Sequence, residues 1–337
     1  MEETQLDFLA IGDITTDAFI RLKEAEVHCD VRTDSCQICM NFADKIPYES
    51  VTVIPAVGNS PNAAVSASRL GLSSALVANI GDDRNGEECL ESLKKDNVQT
   101  DYIKKHHGMH TNYHYVLWYK DERTILVKHE DYTYTFPTIE NLPKWVYLSS
   151  LGGSSEHFHQ EISDFLASNP NIKLAFQPGT FQMRLGYEKL SQLYSRCDIL
   201  ICNMQEARLI LKTNEREPGV LLRRFKSIGP KIVCITDGPK GAYTIGGLDK
   251  DDTRMWFMPP FPDPKPPVER TGAGDAFAST FASALILGKS VEEALKWAPI
   301  NSAFVVQDIG AQKGLLTREA LEQYLSTVGE EYKPKQI

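Results

Sequence analysis

Short apolar runs alternate along this chain with stretches whose apolar positions recur every three to four residues. Residues 6–11 (LDFLAI) are apolar almost throughout and end at Gly12; segments 75–80, 146–148, 173–176, 199–202 and 232–236 repeat that form. A strand buried on both faces reads as a continuous apolar run, whereas a half-exposed strand alternates. Between the runs, 62–70 (NAAVSASRL) predicts a helix of small residues, closed by Gly71, which suits the left-handed turn past a helix end. Residues 86–96 (GEECLESLKKD) predict a helix with one polar face. Strands separated by helices predict βαβ units in a largely parallel sheet, with ligands at the carboxyl ends of the strands.

Two stretches depart from that pattern. Residues 14–57 end in the strand-like VTVIPAV, and residues 111–128 (TNYHYVLWYKDERTILVK) alternate polar with aromatic or β-branched positions around a KDER turn. The second reads as an antiparallel hairpin. Together they predict a small β appendage inserted early in one α/β domain spanning residues 1–337. Such an appendage over a strand-end cleft would serve as a lid, as a dimerisation sheet, or as both. The proline-rich tract 259–267 (PPFPDPKPP) cannot be helical and predicts an extended connector.

Composition narrows the function. Of 337 residues, 42% are hydrophobic and 24% charged, which fits a folded globular chain and excludes a coiled-coil rod, a collagen-like fibre or a disordered chain. The formal net charge of −9 leaves no electrostatic footprint for nucleic acid or an anionic membrane. No apolar run of about 18 residues is present, as a transmembrane helix would need. The start, MEETQLDF, lacks a basic region followed by an apolar core, so a cytoplasmic protein is expected. The seven cysteines are odd in number and are expected to be mostly reduced. Cys29, Cys36 and Cys39 read as loop thiols in preference to a zinc site. His106, His107, His110 and His114 read as a polar strand edge.

The informative motif follows the proline-rich connector. In Thr271-Gly272-Ala273-Gly274-Asp275-Ala276-Phe277 the glycines precede ASTFASALIL, a small, apolar stretch that predicts a buried helix. The motif therefore sits at a helix N-terminus, where free N–H groups and the helix dipole favour an anion. Asp275, in the first turn, is placed to take a proton from a hydroxyl while that anion hole holds a transferring phosphoryl group. By contrast Gly288-Lys289-Ser290 is no phosphate loop: the glycine needed five positions earlier is Ser283, and a helix precedes it.

With that motif and several others, the chain resembles the ribokinase-like (PfkB family) small-molecule kinases over about residues 6–325. The resemblance implies a three-layer α/β fold with a mostly parallel central sheet flanked by helices and a small β-sheet lid. It implies Asp275 as the catalytic base, with the backbone of Gly272, Ala273 and Gly274 as anion hole. Gly58-Asn59-Ser60-Pro61-Asn62-Ala63-Ala64 is similar to the family's substrate loop, so Gly58, Asn59 and Asn62 are carried over as hydroxyl binders, with Val57 standing where a glycine is usual. Gly12-Asp13-Ile14-Thr15-Thr16-Asp17 resembles the first substrate loop, with Asp17 as sugar binder and Asp13 as the second candidate. Gly81-Asp82-Asp83 with Gly86 is a further landmark, read as structural. Asn203 and Glu206 resemble the N-x-x-E motif of magnesium and phosphate handling, with Glu206 acting through water. Thr236, Gly238 and Gly241 resemble the nucleotide loop, and Asn301 and Gly310-Ala311 fall at the adenine pocket. Glu269, six residues before the base, is the candidate ligand for a monovalent cation such as potassium.

The expected reaction is phosphoryl transfer from ATP, with Mg²⁺, to a hydroxyl of a sugar or sugar derivative. A nucleoside is the alternative acceptor, for which Tyr113, Tyr115, Trp118 and Tyr119 would supply an aromatic wall. A phosphorylated sugar would call on Arg123, Lys128 and Arg184. A non-catalytic binding relative is the alternative of another class. A homodimer paired through the lid is expected.

Overall fold

The computed structural model describes residues 5–30, 35–120 and 122–337. The strands in chain order are β1 (Phe8–Ile11), β2 (Thr15–Leu22), β3 (Glu26–Asp30), β4 (Ser35–Cys39), β5 (Tyr48–Val57), β6 (Ser74–Gly81), β7 (Ile103–His106) and β8 (Tyr113–Tyr119). They continue as β9 (Glu122–Leu126), β10 (Trp145–Leu148), β11 (Lys173–Phe176), β12 (Ile199–Asn203), β13 (Ile232–Thr236), β14 (Ala242–Gly246), β15 (Met255–Met258) and β16 (Lys335–Gln336). The helices are α1 (Asn59–Arg69), α2 (Arg84–Lys95), α3 (Glu156–Ser168), α4 (Thr180–Leu185) and α5 (Ser191–Arg196), followed by α6 (Met204–Ile210), α7 (Pro218–Ile228), α8 (Ala273–Ile286), α9 (Val291–Val305) and α10 (Arg318–Thr327).

A ten-stranded sheet runs β16-β15-β14-β13-β12-β11-β10-β1-β6-β7. From β7 to β13 every neighbouring pair is parallel, and β14 to β16 extend one edge antiparallel. The parallel strands are buried on both faces because successive side chains point to opposite sides. Phe8, Ala10, Tyr147, Ile201 and Cys234 pack with α1, α8 and α9 residues such as Ala63, Phe281 and Leu295. Leu9, Ile11, Leu148, Phe176, Cys202 and Ile235 pack on the other side with Phe158, Ala207 and Phe225 of α3, α6 and α7. The result is helix, sheet and helix in three layers. Helix α8 is buried along Ala276–Leu285, as its run of small, apolar residues requires. Helix α1 starts three residues ahead of the sequence expectation, because Pro61 fits a first turn, where its missing N–H costs nothing.

Segments 14–57 and 111–128 supply a separate four-stranded sheet, ordered β5-β2-β8-β9. β2 pairs with β8 in parallel, while β5 and the β8–β9 hairpin pair antiparallel. The register puts Asp17 opposite His114, and Trp118 opposite Arg123, on one face. Ala18 lines up with Val53 and Tyr115, and Tyr115 with Leu126, on the other. None of the helices among the described residues is long and apolar enough to cross a membrane.

The small β3–β4 hairpin corrects one expectation. Its antiparallel register sets Cys29 directly opposite Cys36, and the two form a disulfide. They are not reduced loop thiols, and Cys36 is not free to share a metal with Cys39. Cys89, Cys197, Cys202 and Cys234 are buried and unbridged, as expected of small apolar residues.

Candidate active site

Five parallel strands end on one cleft. Asp13 follows β1, Ser150 follows β10, Gln177 follows β11, Asn203 closes β12 and Thr236 closes β13. The N-termini of α1 and α8 face the same space, and the four-stranded sheet contributes Thr15, Asp17, His114, Arg123 and Ile125. The cavity measures about 850 Å³, within the range of small-molecule sites.

Asp275 lies at its floor, in the first turn of α8. Asn59 Nδ2 donates to its Oδ1 at 2.7 Å, Asn62 Nδ2 donates to Oδ2 at 2.8 Å, and Gln177 Nε2 donates to Oδ1 at 3.1 Å. Gln177 is itself aimed by Tyr147, whose hydroxyl donates to Oε1 at 2.5 Å. Burial pushes the Asp275 carboxyl above its ordinary range, with the three amides and the charge of Arg123 pulling against that. The amides fix the carboxylate without taking its charge.

The helix start beside it is open. Gly272 caps α8 at φ +82°, in the left-handed region, and the first intrahelical bond is made by Ala276 N–H to Gly272 O at 2.8 Å. The N–H groups of Ala273, Gly274 and Asp275 precede that bond. A side chain built on Gly272 would meet the Cβ of Ala311 at 2.4 Å, whereas one on Gly274 would meet nothing within 4 Å. The cleft therefore approaches the backbone closely at Gly274.

The remaining expected residues divide. Asn59 and Asn62 do not cap α1; Gly58, at φ +123°, takes that position, and both amides turn to Asp275. Asn62 is buried, its Oδ1 accepts from Gln312 Nε2 at 3.0 Å and its Nδ2 donates to Asp275, so both ends of its amide are held within the chain. Asp13 Oδ1 accepts from Tyr134 OH at 2.7 Å, and its Oδ2 stands 3.2 Å from His129 Nδ1. Asp17 Oδ1 stands 3.3 Å from His114 Nδ1. Both facing oxygens are buried against those histidines. The Asp13 carboxylate raises the pKa of His129.

Asn203 and Glu206 form a reciprocal capping box on α6: Asn203 Oδ1 accepts from the Gln205 and Glu206 N–H groups at 2.9 Å each, and Glu206 Oε2 accepts from Asn203 N–H at 2.8 Å. Both also line the cleft. Burial raises the Glu206 pKa, the Asn203 N–H opposes that, and the charge of Asp275 adds to it. A carboxyl so placed gains from a nearby cation. Thr236 lines the cleft, and Gly238 (φ +51°) and Gly241 (φ +102°) shape the turn after it.

Two expectations give way. Asn301 is fully buried between α8 and α9, donating to Thr280 Oγ1 at 2.8 Å and accepting from Leu316 N–H at 2.9 Å, so it does not reach the cleft as a nucleotide contact. Asn301→Ala should cost roughly 1–3 kcal/mol of stability by stranding those buried partners. Chemical denaturation reads that loss, and a selective rise in KM for ATP would contradict the assignment. Glu269 is also buried, and its oxygens accept from Thr271 N–H at 2.6 Å and Gly310 N–H at 2.9 Å. Its oxygens thereby join the strand-to-helix loop to the 310 loop. The nucleoside wall likewise fails to form: Tyr113, Tyr115, Trp118 and Tyr119 are absent from the cleft lining, Trp118 is buried and Tyr115 faces outward.

Sequence reasoning left Gln177 and Tyr147 without a role and His129 and Tyr134 unremarked. Gln177 carried one available signal, its position directly after an apolar strand.

A parallel sheet delivering its strand ends to a buried helix with an open N-terminus defines a ribokinase-like α/β fold. It superimposes on Arabidopsis thaliana ribokinase complexed with ribose and ATP with a TM-score of 0.78 at 18% identity, covering 96% of this chain and 100% of that one. The pfkB family carbohydrate kinase pattern matches residues 27–318, so the chain belongs to that family. It is 29% identical to Bacillus subtilis ribokinase over 296 residues, 84% of this chain and 94% of the relative. A nucleoside kinase of Methanothermobacter thermautotrophicus is 25% identical over 278 residues, 81% of this chain and 86% of the relative. The protein is a sugar or nucleoside kinase of this family, a phosphotransferase acting on a hydroxyl group.

Proposed function

We propose that this chain transfers the γ-phosphoryl group of ATP to a hydroxyl of a sugar or sugar derivative, with Asp275 as base. The observation that carries the reading is the Asp275 carboxylate, held by three amides beside the free N–H groups of α8. In this reading the acceptor hydroxyl donates to Asp275 and loses its proton there as its bond to the γ-phosphorus forms and the bond from that phosphorus to the bridging oxygen breaks, releasing ADP. The N–H groups of Ala273, Gly274 and Asp275 meet the negative charge on the moving phosphoryl group. Asp13, Asp17 and Asn59 orient the acceptor through its other hydroxyls; the two carboxylates, each held beside a histidine that lines the cleft, support this. Thr236 and the turn through Gly238 and Gly241 bind the nucleotide. Mg²⁺, when bound with ATP, neutralises charge on its phosphates, and Glu206 is the carboxylate suited to hold it through water.

The four-stranded sheet acts as a lid that excludes water, which limits futile hydrolysis of ATP. A coupled ADP-release assay across sugars, sugar acids, sugar phosphates and nucleosides tests the reading. Acceptor-dependent release supports it; nucleotide binding without release for any acceptor would favour a non-catalytic binding protein.

The outer face of the lid also supports a homodimer. Val51, Val53, Tyr115 and Leu126 are half-exposed on it, a patch of the kind that marks an interface. A double substitution, Val53→Lys with Tyr115→Glu, should convert a dimer to a monomer in analytical ultracentrifugation. A wild-type monomer at micromolar concentration would contradict this arrangement.

A further inference from the structure

The cleft holds arginines that no side chain among the described residues pairs with. Each acceptor-side carboxylate faces a basic group of its own chain, Asp13 with His129 and Asp17 with His114. Three arginines line the same cleft, Arg123, Arg184 and Arg270, and none makes an ion pair or a complete set of hydrogen bonds among the described residues. Arg270 directly precedes the anion-hole loop and so lies on the phosphate side. Arg123 and Arg184 come from elsewhere. Arg123 projects from β9, on the lid face that carries Asp17 and His114, and Arg184 sits in the last turn of α4, after Gln177. The Nε of Arg123 is shut off from solvent and has no hydrogen-bond partner. A buried guanidinium N–H left unpaired is costly, and in a cleft it signals a missing acceptor atom. A neutral sugar offers hydroxyl oxygens, which match this fork of donors poorly. A carboxylate or phosphate matches it in shape and in charge.

We propose that the acceptor is an anionic sugar, carrying a carboxylate or phosphate group that Arg123 and Arg184 hold while another hydroxyl meets Asp275. This deepens the kinase reading and rests on it. The lid would then cover a charged substrate, with Arg123 of β9 already at the cleft.

The test compares matched acceptors with Mg-ATP: glucose with gluconate, ribose with ribose 5-phosphate, and fructose with fructose 6-phosphate. At least one anionic member should exceed its neutral partner in kcat/KM by about 100-fold, as two charge-assisted contacts allow. The gluconate and phosphate arms identify which anion the site takes. Arg184→Gln and Arg123→Gln should each lower the anionic-to-neutral ratio by about 10-fold or more, chiefly through KM, with Arg123→Lys falling less. Circular dichroism establishes that the variants fold, and calorimetric titration of the anionic sugar measures binding apart from turnover. Neutral members preferred throughout, or a ratio unmoved by both glutamine substitutions, would overturn the inference and leave the kinase reading standing. Equal losses in kcat for every acceptor would assign Arg123 to the transferring phosphoryl group and overturn it too. No acceptor-dependent ADP release from any member would overturn both.

Discussion

Asp275→Asn should lower kcat by roughly 10²–10⁴-fold, the span a positioned general base contributes, while the protein keeps its fold. The substitution keeps the size of the side chain and removes its capacity to accept a proton. It is not silent structurally, because Asn59, Asn62 and Gln177 all present N–H donors to this group. Asn62 cannot turn freely, since Gln312 holds its Oδ1, so the new amide nitrogen falls at the Oδ1 position and both Asn59 and Gln177 face it in place of an oxygen. KM values for ATP should move far less than kcat. The pH profile of the unaltered enzyme gives a second reading of the same residue. In the proposed reaction Asp275 works only as a carboxylate, and burial raises its pKa. Activity should therefore fall on the acid side, through a pKa above that of an ordinary aspartate, as protonation removes the base. An acid limb at or below the ordinary value, or full activity in the asparagine variant, would remove Asp275 from the chemistry.

Gly272→Ala should be nearly as damaging, for a different reason. The position adopts φ +82°, which L side chains rarely occupy, and an added Cβ would lie 2.4 Å from the Cβ and 2.5 Å from the Cα of Ala311. The left-handed conformation alone costs about 1–3 kcal/mol for a non-glycine residue. Relief of the clash must move the 310 loop or the start of α8. The second movement displaces the N–H groups that in the proposed reaction face the transferring phosphoryl group, and loss of one such donor costs on the order of 10²–10³ in kcat. Urea denaturation and steady-state kinetics separate the two effects. Wild-type stability together with wild-type kcat would contradict the account of the loop.

The central sheet was legible because both faces of a parallel strand are buried, so each strand is a run of apolar residues without polar interruption. Residues 8–11 show this: Phe8 and Ala10 serve one layer, Leu9 and Ile11 the other. Gly71 was legible as a helix stop for the same local reason, and it adopts φ +92°. The place of Asp275 and its glycines at the start of α8 was legible because a helix N-terminus is a local feature. The amide cage was not: Gln177 and Asp275 lie 98 residues apart, and their meeting depends on how β11 and α8 pack. The histidine–carboxylate contacts are hidden in the same way, since His114 reaches Asp17 only through the β2–β8 register. Asn301 shows the converse error, where similarity of motif suggested a ligand contact and packing supplied two internal partners instead. The Cys29–Cys36 bridge depended on a hairpin register that cysteine count alone could not reveal.

The most direct measurement follows the γ-phosphoryl group itself. With γ-labelled ATP, Mg²⁺ and the acceptor panel, label should appear on one acceptor hydroxyl in equal amount to the ADP formed, and this transfer should collapse in Asp275→Asn. Label released only as inorganic phosphate, or transfer that persists in the variant, would contradict the proposed chemistry.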